Sequence, residues 1–311
     1  MKSTSFRKTA TIAAIAALIT TGAAGCNRTP AGEADKPTVV LSLSTLNNPF
    51  FVELRDGAVA EAKKQGVDLE VVDAQNDSAT QANQLATAAS SADAVILNAV
   101  DSDAAGPAAQ QLNDSSVPIV AVDRAVNGAD VASFVASDNV AGGKQAADAL
   151  AAAIGEQGEV IVLQGVAGTS ASRDRGQGFA DGIAAYPGIT VVGQQTANFD
   201  RATALDVTTN LLQAHPDAVG VFAENDEMGL GAIQALGSRA GTDVKVAAFD
   251  GTEDGLKAVE AGTMSSTIAQ QPAKLGALAV DQAVKAIDDD GAADEAVDVI
   301  TVTKENVGDF S

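Results

Sequence analysis

The chain of 311 residues has a single cysteine, Cys26, a single histidine, His215, and no tryptophan. One thiol cannot form a disulfide within the chain, and one imidazole excludes a metal site built from several histidines. Basic residues are scarce, with 19 Lys and Arg against 41 Asp and Glu. A nucleic-acid-binding face needs clustered basic residues to displace phosphate counterions, so nucleic acid is not an expected partner. We expect an acidic surface whose like charges repel one another. We expect the protein to bind no metal ion and no cofactor.

Long hydrophobic runs are also scarce. The one near the start, residues 11–20, is about half the roughly 20 residues that a membrane-spanning helix needs. Three basic side chains precede it and small residues follow at 22–25, a pattern typical of a secretion signal. Cys26 comes next, in a setting that resembles a lipobox, although the first small residue there is Ala where Leu is usual. We predict a signal peptide at 1–25, then a lipidated Cys26 and a polar tether at 26–36 that anchor the protein to the membrane.

From Pro37 onward, short apolar runs alternate with Ala-rich segments of helical length. Apolar runs of this kind that alternate with helices indicate a parallel, doubly wound α/β sheet with both faces covered. The length favours two lobes, since single hydrophobic cores stop growing near roughly 250 residues. The predicted strands are TVVLSLS, LEVVDA, AVILN, PIVAVD, VIVLQG, TVVG, AVGVFAEN, VKVAAFD and STIAQ.

Several predicted strands end on a polar residue: Asn98, Asp123, Asn225, Asp250 and Gln270. Ligands of open α/β sheets bind beyond the carboxyl ends of the strands, so these side chains are candidates for one site.

A repeat of 127 residues relates some of these positions. It pairs Asn98 with Asn225, Asp123 with Asp250, and Asn48 with Arg175. The repeat indicates two similar lobes.

The segment STLNNPFF, residues 44–51, contains a helix start with Asn48 as N-cap and Pro49 at the first helical position. Adjacent helical positions point about 100° apart, so Phe50 and Phe51 are not expected to share one narrow core stripe. Sugar rings present C–H faces that pack on aromatic rings, and we therefore interpret this pair as a ligand contact.

The polar candidates suit a polyol. Carboxylates accept from neighbouring hydroxyls, and guanidinium and amide groups donate to the remaining lone pairs. Two Asp and two Arg sum to zero charge, which favours a neutral ligand. A turn or helix cap is the alternative for each Asp or Asn taken alone. The set comprises Asp123, Arg124, Arg175, Asn225, Asp250 and Gln270.

Long sequence blocks carry a family resemblance over nearly all of residues 38–302. They include STLNNPFF, AVDR, ASDNVAGGK, LQGVAGTSASRDRGQGF, NFDR, FAENDEMGLGA, AFDGT and TIAQ. Through them the chain resembles the type I periplasmic-binding proteins of the pentose and hexose group. The resemblance places the hydrogen-bonding residues at Asn48, Asp123, Arg124, Arg175, Asn225, Asp250 and Gln270, and the stacking rings at Phe50, Phe51 and Phe199.

The same resemblance implies two doubly wound lobes joined by a three-segment hinge. The hinge crossings fall near Ser137, Gln270 and Ile300. The implied N-terminal lobe is 37–137 plus 271–299, and the implied C-terminal lobe is 138–270 plus 300–311.

The resemblance further implies a binding lipoprotein, not an enzyme, that works outside the cytoplasm. It would pass a small neutral sugar to an ABC permease and its ATPase, and a chemoreceptor is a further candidate partner. The resemblance also implies D-ribose as the ligand. The absence of tryptophan supports this expectation, since relatives that bind glucose or galactose use a tryptophan platform. Another monosaccharide such as allose is the alternative.

Two other classes of protein remain open at this point. The core of a sugar-responsive DNA-binding regulator shares the two-lobed body, but it would follow a basic helix-turn-helix and not a signal sequence. If the protein were a glycosidase, Asp123 and Asp250 could lie on either side of the glycosidic bond that is cleaved. We expect neighbouring arginines to keep both carboxylates ionised, which would leave no general acid.

Overall fold

The computed structural model describes residues 36–310, which form twelve strands and nine α-helices. The strands make two six-stranded sheets. We refer to each sheet with the helices packed on it as a lobe. The predicted signal peptide, Cys26 and all of the tether except Lys36 lie outside the described residues.

The first lobe is built mainly from the first half of the chain. Its sheet has the strand order β11-β5-β4-β3-β1-β2, with every neighbouring pair parallel. The strands are β1 (Thr38–Leu43), β2 (Asp68–Asp73), β3 (Ala94–Leu97), β4 (Ile119–Val122), β5 (Ser133–Ser137) and β11 (Glu295–Val297). The helices are α1 (Pro49–Gln65), α2 (Ser78–Ala88), α3 (Gly106–Asp114) and α9 (Pro272–Ile287).

The second lobe repeats this plan. Its sheet has the order β12-β10-β9-β8-β6-β7. The strands are β6 (Gly158–Gln164), β7 (Ile189–Thr196), β8 (Ala218–Ala223), β9 (Lys245–Asp250), β10 (Ser266–Ala269) and β12 (Ile300–Thr303). The helices are α4 (Asn139–Ile154), α5 (Ser170–Ile183), α6 (Arg201–Ala214), α7 (Asp226–Leu236) and α8 (Glu253–Ala261).

Each sheet is covered on both faces, as the apolar strands predicted. In the first lobe α1 and α9 pack on one face and α2 and α3 on the other. In the second lobe α4 and α5 cover one face, and α6, α7 and α8 the other. The strand order 2-1-3-4-5 of the first lobe recurs in the second, so the predicted doubly wound α/β class and its internal repeat are confirmed.

Three short strands, β5, β11 and β12, were not among the predicted strands, and one of them breaks the parallel rule. β12 runs antiparallel to β10, with Ala269 opposite Ile300. Only the two residues between Val297 and Ile300 separate β11 from β12, so the chain passes directly from one sheet to the other without a crossover helix.

The chain passes between the lobes three times. The passages follow β5, which ends at Ser137, and β10, which ends at Ala269, and the third lies between β11 and β12. Within residues 36–310 no helix is long and apolar enough to cross a membrane.

Candidate functional site

The carboxyl ends of strands from both lobes meet at a pocket with about 240 Å³ of space between the atoms. Nine of the ten predicted residues line it, and Gln270 lies behind them, where its Nε2 donates to Asp250 Oδ1 at 2.7 Å. The lining consists of Asn48, Phe50, Phe51, Asp123, Arg124, Ala171, Arg175, Phe199, Asn225 and Asp250.

The two aspartates occupy equivalent places in the two lobes. Asp123 directly follows β4 and Asp250 ends β9, and both have a positive φ, of 63° and 122°. This backbone conformation is costly for a residue other than glycine, and such strain is concentrated at functional sites. Each aspartate is almost fully buried, with 3% and 4% exposure. The strand ends therefore aim both carboxylates into the pocket from opposite lobes.

Arg124 is held by the first lobe. Its Nη1 donates to the Ala99 carbonyl at 2.9 Å, and its Nε lies 3.7 Å from Asp123 Oδ2. The guanidinium carbon lies 5.2 Å from the centre of the Phe51 ring and 5.6 Å from that of Phe199. These contacts fix one positive charge between two aromatic rings.

Arg175 is held by the second lobe on α5. Its Nε donates to Asn139 Oδ1 at 2.8 Å and its Nη1 to the Glu224 carbonyl at 2.7 Å. The same Nη1 is 3.5 Å from Asp250 Oδ1, and the Phe249 ring centre is 3.9 Å from the guanidinium carbon. Each lobe thus contributes one Asp and one Arg in contact, and the four formal charges cancel.

Burial sets the direction of the pKa shifts in this cluster. It raises the pKa of Asp123 and of Asp250 above the ordinary value, although the arginines act in the opposite direction. Burial also lowers the pKa of Arg124 to about 10. The arginines oppose this shift but do not reverse it, because desolvation of each carboxylate outweighs the attraction of the guanidinium groups.

Phe50 and Phe51 lie edge to face, with ring centres 5.2 Å apart and planes at 83°. Both line the pocket, and both also pack in the hydrophobic core of the first lobe. The expectation that adjacent positions cannot share a core was wrong, because the perpendicular rings fit side by side at the start of α1.

Phe199 comes from the loop before α6, with φ of 56°. The loop that follows β6 makes room for its ring at Gly165, where an added Cβ would lie 2.1 Å from Phe199 Cζ. Phe199 is the one ring that the second lobe adds to the pocket lining.

Asn48 and Asn225 are helix caps that also face the pocket. Asn48 Oδ1 accepts from the Phe50 N–H at 3.0 Å, and Asn225 Oδ1 accepts from the Met228 N–H at 2.9 Å. Each of these asparagines can therefore both cap a helix and contact a ligand, because a cap uses only the amide oxygen.

Four polar atoms at the site are buried and have no hydrogen-bond partner among the described residues. Two can only accept, Asp123 Oδ1 and Gln270 Oε1, and two can donate, Arg124 Nε and Asn225 Nδ2. Such atoms are costly unless something pairs with them. A hydroxyl both donates and accepts, so this mixture matches a polyhydroxylated ligand.

Three buried residues outside the predicted set of ligand-binding residues support the site, and two of them, Asn139 and Glu224, were missed by sequence reasoning. Asn98 was noticed as a strand end, and its Nδ2 holds Asp123 Oδ2 at 3.2 Å. Asn139 orients Arg175, and Glu224 Oε2 accepts from the Gly165 N–H at 2.7 Å. An acid directly after the apolar residues of VFAEN was the available signal for Glu224.

One predicted correspondence between the lobes is wrong. Asn48 caps α1, whereas Arg175 lies inside α5, whose cap is Thr169. The equivalent of Asn48 is therefore Thr169, and the 127-residue spacing of Asn48 from Arg175 is a coincidence. The other two pairs do follow equivalent strands, β3 with β8 and β4 with β9.

Comparison with known proteins identifies the family. The periplasmic binding protein domain matches residues 39–292. The chain belongs to this family. It is therefore a substrate-binding protein that works outside the cytoplasm and not an enzyme, which confirms the family and the class expected from the sequence. Within residues 36–310, no three His, Cys, Asp or Glu side chains form a group that could hold a metal ion.

Individual relatives are similar over most of their length. The chain is 48% identical to the ribose import binding protein of Salmonella typhimurium, over 81% of this chain and 85% of that protein. It is 45% identical to the ribose import binding protein of Bacillus subtilis, over 79% and 80%. A solute-binding protein from Actinobacillus succinogenes, solved with bound D-allose, has a TM-score of 0.82 and 34% identity, and the match covers 88% of this chain and 100% of that one.

Proposed function

We propose that the protein captures D-ribose outside the cytoplasm and delivers it to the permease and ATPase of an ABC importer. The observation that carries the proposal is the pocket itself, where two charge-balanced Asp–Arg pairs and three polar atoms without a hydrogen-bond partner lie beside three phenylalanine rings. Relatives that are 45% and 48% identical are ribose import binding proteins, which supports ribose over other small polyols.

Each predicted residue has a role in this proposal. Phe50, Phe51 and Phe199 pack on the faces of the sugar ring, and the remaining seven bind its hydroxyls. A charged sugar derivative would leave an uncompensated charge in a buried, balanced site, so a neutral ligand is favoured. The seven are Asn48, Asp123, Arg124, Arg175, Asn225, Asp250 and Gln270.

The site is divided between the lobes, which supports binding by closure. The N-terminal unit in this proposal is 37–137 plus 271–299 and the C-terminal unit 138–270 plus 300–311. They rotate about three segments near Ser137, Gln270 and Ile300. Sugar favours the closed arrangement because only there do both sets of side chains reach it.

Lipidation of Cys26 would hold the protein at the outer side of the membrane, close to its permease. The support is the apolar run followed by small residues and the sole cysteine. A diacylglycerol and an added acyl chain supply the two or more chains that stable anchoring requires. The variant Cys26→Ala should leave the membrane fraction, and retention there would contradict the anchor. A chemoreceptor that reads the closed form is a further candidate partner.

Calorimetric titration with ribose, allose, xylose, arabinose and glucose tests the ligand. We expect D-ribose to bind most tightly, with a dissociation constant of roughly micromolar or lower, equivalent to about −8 kcal/mol. Tighter binding of any other sugar in this set would refute the assignment to ribose, and binding of none would refute the sugar-binding function.

A further inference from the structure

The loops that follow β3 and β4 in the first lobe are hydrogen-bonded to the start of α5 and the loop before it in the second lobe, outside the pocket. The Ser102 N–H donates to the Gly168 carbonyl at 3.0 Å, and the Ser170 N–H donates to Ser102 Oγ at 3.2 Å. The Ala125 N–H donates to Ser170 Oγ at 2.8 Å. We call Ser102, Ala125, Gly168 and Ser170 the clasp; none of them lines the sugar pocket.

The clasp is tightly packed. Ser102 and Ser170 are 0% and 2% exposed, so their polar groups depend on each other and not on water. Gly168 has φ of +92°, and an added Cβ would lie 2.0 Å from Asp101 Oδ2 in the first lobe. The Asp101 carboxylate is itself fixed, because its Oδ1 accepts from the Asp103 and Ala104 N–H groups at 2.9 and 2.7 Å. Only a glycine lets the two loops approach this closely.

In the second lobe, the clasp lies away from the passage that follows β10. In the second sheet β6, which leads into Gly168, is separated from β10 by β8 and β9. Neighbouring strands are about 4.8 Å apart, so the loop is roughly 14 Å from the passage that follows β10. A rotation about the passages that opens the cleft would therefore separate the hydrogen-bonded groups of the clasp.

From these contacts we infer that Ser102 and Ser170 are positioning residues that set the sugar affinity by stabilising the closed state without touching the sugar. The clasp holds a fraction of the ligand-free protein closed. Any interaction confined to the closed state increases that fraction, and the apparent dissociation constant falls in proportion. Because the clasp must break before the sugar leaves, it also slows dissociation. This effect on affinity rests on the proposed sugar-binding function.

The variant Ser170→Ala removes the acceptor for the Ala125 N–H and leaves the helix cap at Thr169 in place. We expect D-ribose to bind about fivefold more weakly, mainly through faster dissociation, as measured by stopped-flow and calorimetry. The matched control is Ser133→Ala, which removes an equally buried hydroxyl that donates to the Ala293 carbonyl within the first lobe. It should leave the affinity for ribose unchanged.

A second pair of variants tests the close approach. Gly168→Ala should weaken ribose binding more than Ser170→Ala, because the methyl group would collide with Asp101 on closure. Gly155→Ala is the control, since it has a similar φ of +71° but nothing within 4 Å of the added carbon. It should reduce stability without changing affinity.

Amide hydrogen exchange in the ligand-free protein tests the clasp independently of any sugar. We expect the Ala125 amide to be protected in the wild type and in Ser133→Ala, and to lose protection in Ser170→Ala. An unprotected Ala125 amide in the wild type, or protection unchanged by Ser170→Ala, would overturn the clasp even if ribose binds. Unchanged ribose affinity and dissociation in both Ser170→Ala and Gly168→Ala would overturn its role in binding. If no sugar binds, the proposed function fails, and the hydrogen-exchange result alone shows whether the clasp forms.

Discussion

At the scale of single residues, the site depends on polar atoms that the protein leaves without partners. Asp250 Oδ1 accepts a hydrogen bond from Gln270 Nε2 and lies 3.5 Å from Arg175 Nη1. Asp123 Oδ1, in contrast, is buried and has no hydrogen-bond partner among the described residues. A buried carboxylate oxygen without a hydrogen-bond partner destabilises the folded chain, and a hydroxyl of a bound sugar can offset that cost. Binding affinity should therefore be most sensitive to the charged acceptors and less sensitive to the rings.

Replacing Asp250 tests this ranking. Asp250→Ala should weaken ribose binding by about 2 to 5 kcal/mol, because it strands Arg175 and a sugar hydroxyl in a closed site. Phe51→Ala should cost less, since it removes packing and strands no polar group. Calorimetry on both variants measures the difference, and a larger loss for Phe51→Ala would contradict the ranking.

Glu224 should make the stability of the ligand-free protein depend on pH. Burial raises its pKa to about 7, although the Ser172 hydroxyl and the Gly165 N–H favour the ionised form. A raised carboxyl pKa stabilises the fold below the unfolded value of 4.5, and that contribution is lost as the pH rises through about 7. The loss is on the order of 3 kcal/mol.

The variant Glu224→Gln keeps a carbonyl oxygen for the same donors and removes the titration. Urea unfolding at about pH 5 and about pH 8 should show a smaller loss of stability in this variant than in the wild type. Equal losses in the two proteins would show that Glu224 does not titrate in this range.

At the scale of elements, glycines set how closely helices pack beneath the site. On α5, an added Cβ at Gly178 would lie 2.0 Å from the Val140 carbonyl oxygen of α4. The same helix carries Arg175, whose place relative to Asp250 depends on this contact. Close packing of α4 and α5 is therefore part of the construction of the pocket.

Gly178→Ala should lower the free energy of unfolding by about 1 to 3 kcal/mol and also weaken ribose binding, because α5 must move away from α4. Gln177→Ala is the neighbouring control on the exposed side of α5, with an expected change within about 0.5 kcal/mol. Chemical denaturation and calorimetry measure both effects. Normal stability of Gly178→Ala would contradict the close packing.

At the scale of the whole molecule, the pocket is completed only by both lobes. Asn48 and Asp123 come from the first lobe, and Arg175, Asn225 and Asp250 from the second. The interlobe hydrogen bonds of the clasp belong to the same closed arrangement. The proposed mechanism is therefore a change in the angle between two rigid lobes.

Small-angle scattering should show a smaller radius of gyration when ribose saturates the protein, because the sugar selects the closed arrangement. The variant Asp250→Ala, at a ribose concentration too low to occupy it, should keep the radius of the ligand-free protein. A wild-type radius that does not change with ribose would contradict closure about the three segments.

The sequence by itself determined the α/β class, the repeated lobes and most of the pocket lining. Apolar runs with polar ends such as Asp123 and Asp250 are local signals, and parallel strands bring their carboxyl ends to one edge wherever such a sheet forms. Family motifs added Phe199, which no local pattern indicated.

Only the tertiary structure decided which side chains support the site and how the lobes touch. The antiparallel β12, the hydrogen bond that Arg175 donates to Asn139 and the clasp all join residues far apart in the chain. The direction of the pKa shifts at Asp123 and Asp250 likewise depends on burial by both lobes. Desolvation and contact between distant segments are set by packing in three dimensions, and no periodicity in the sequence records them.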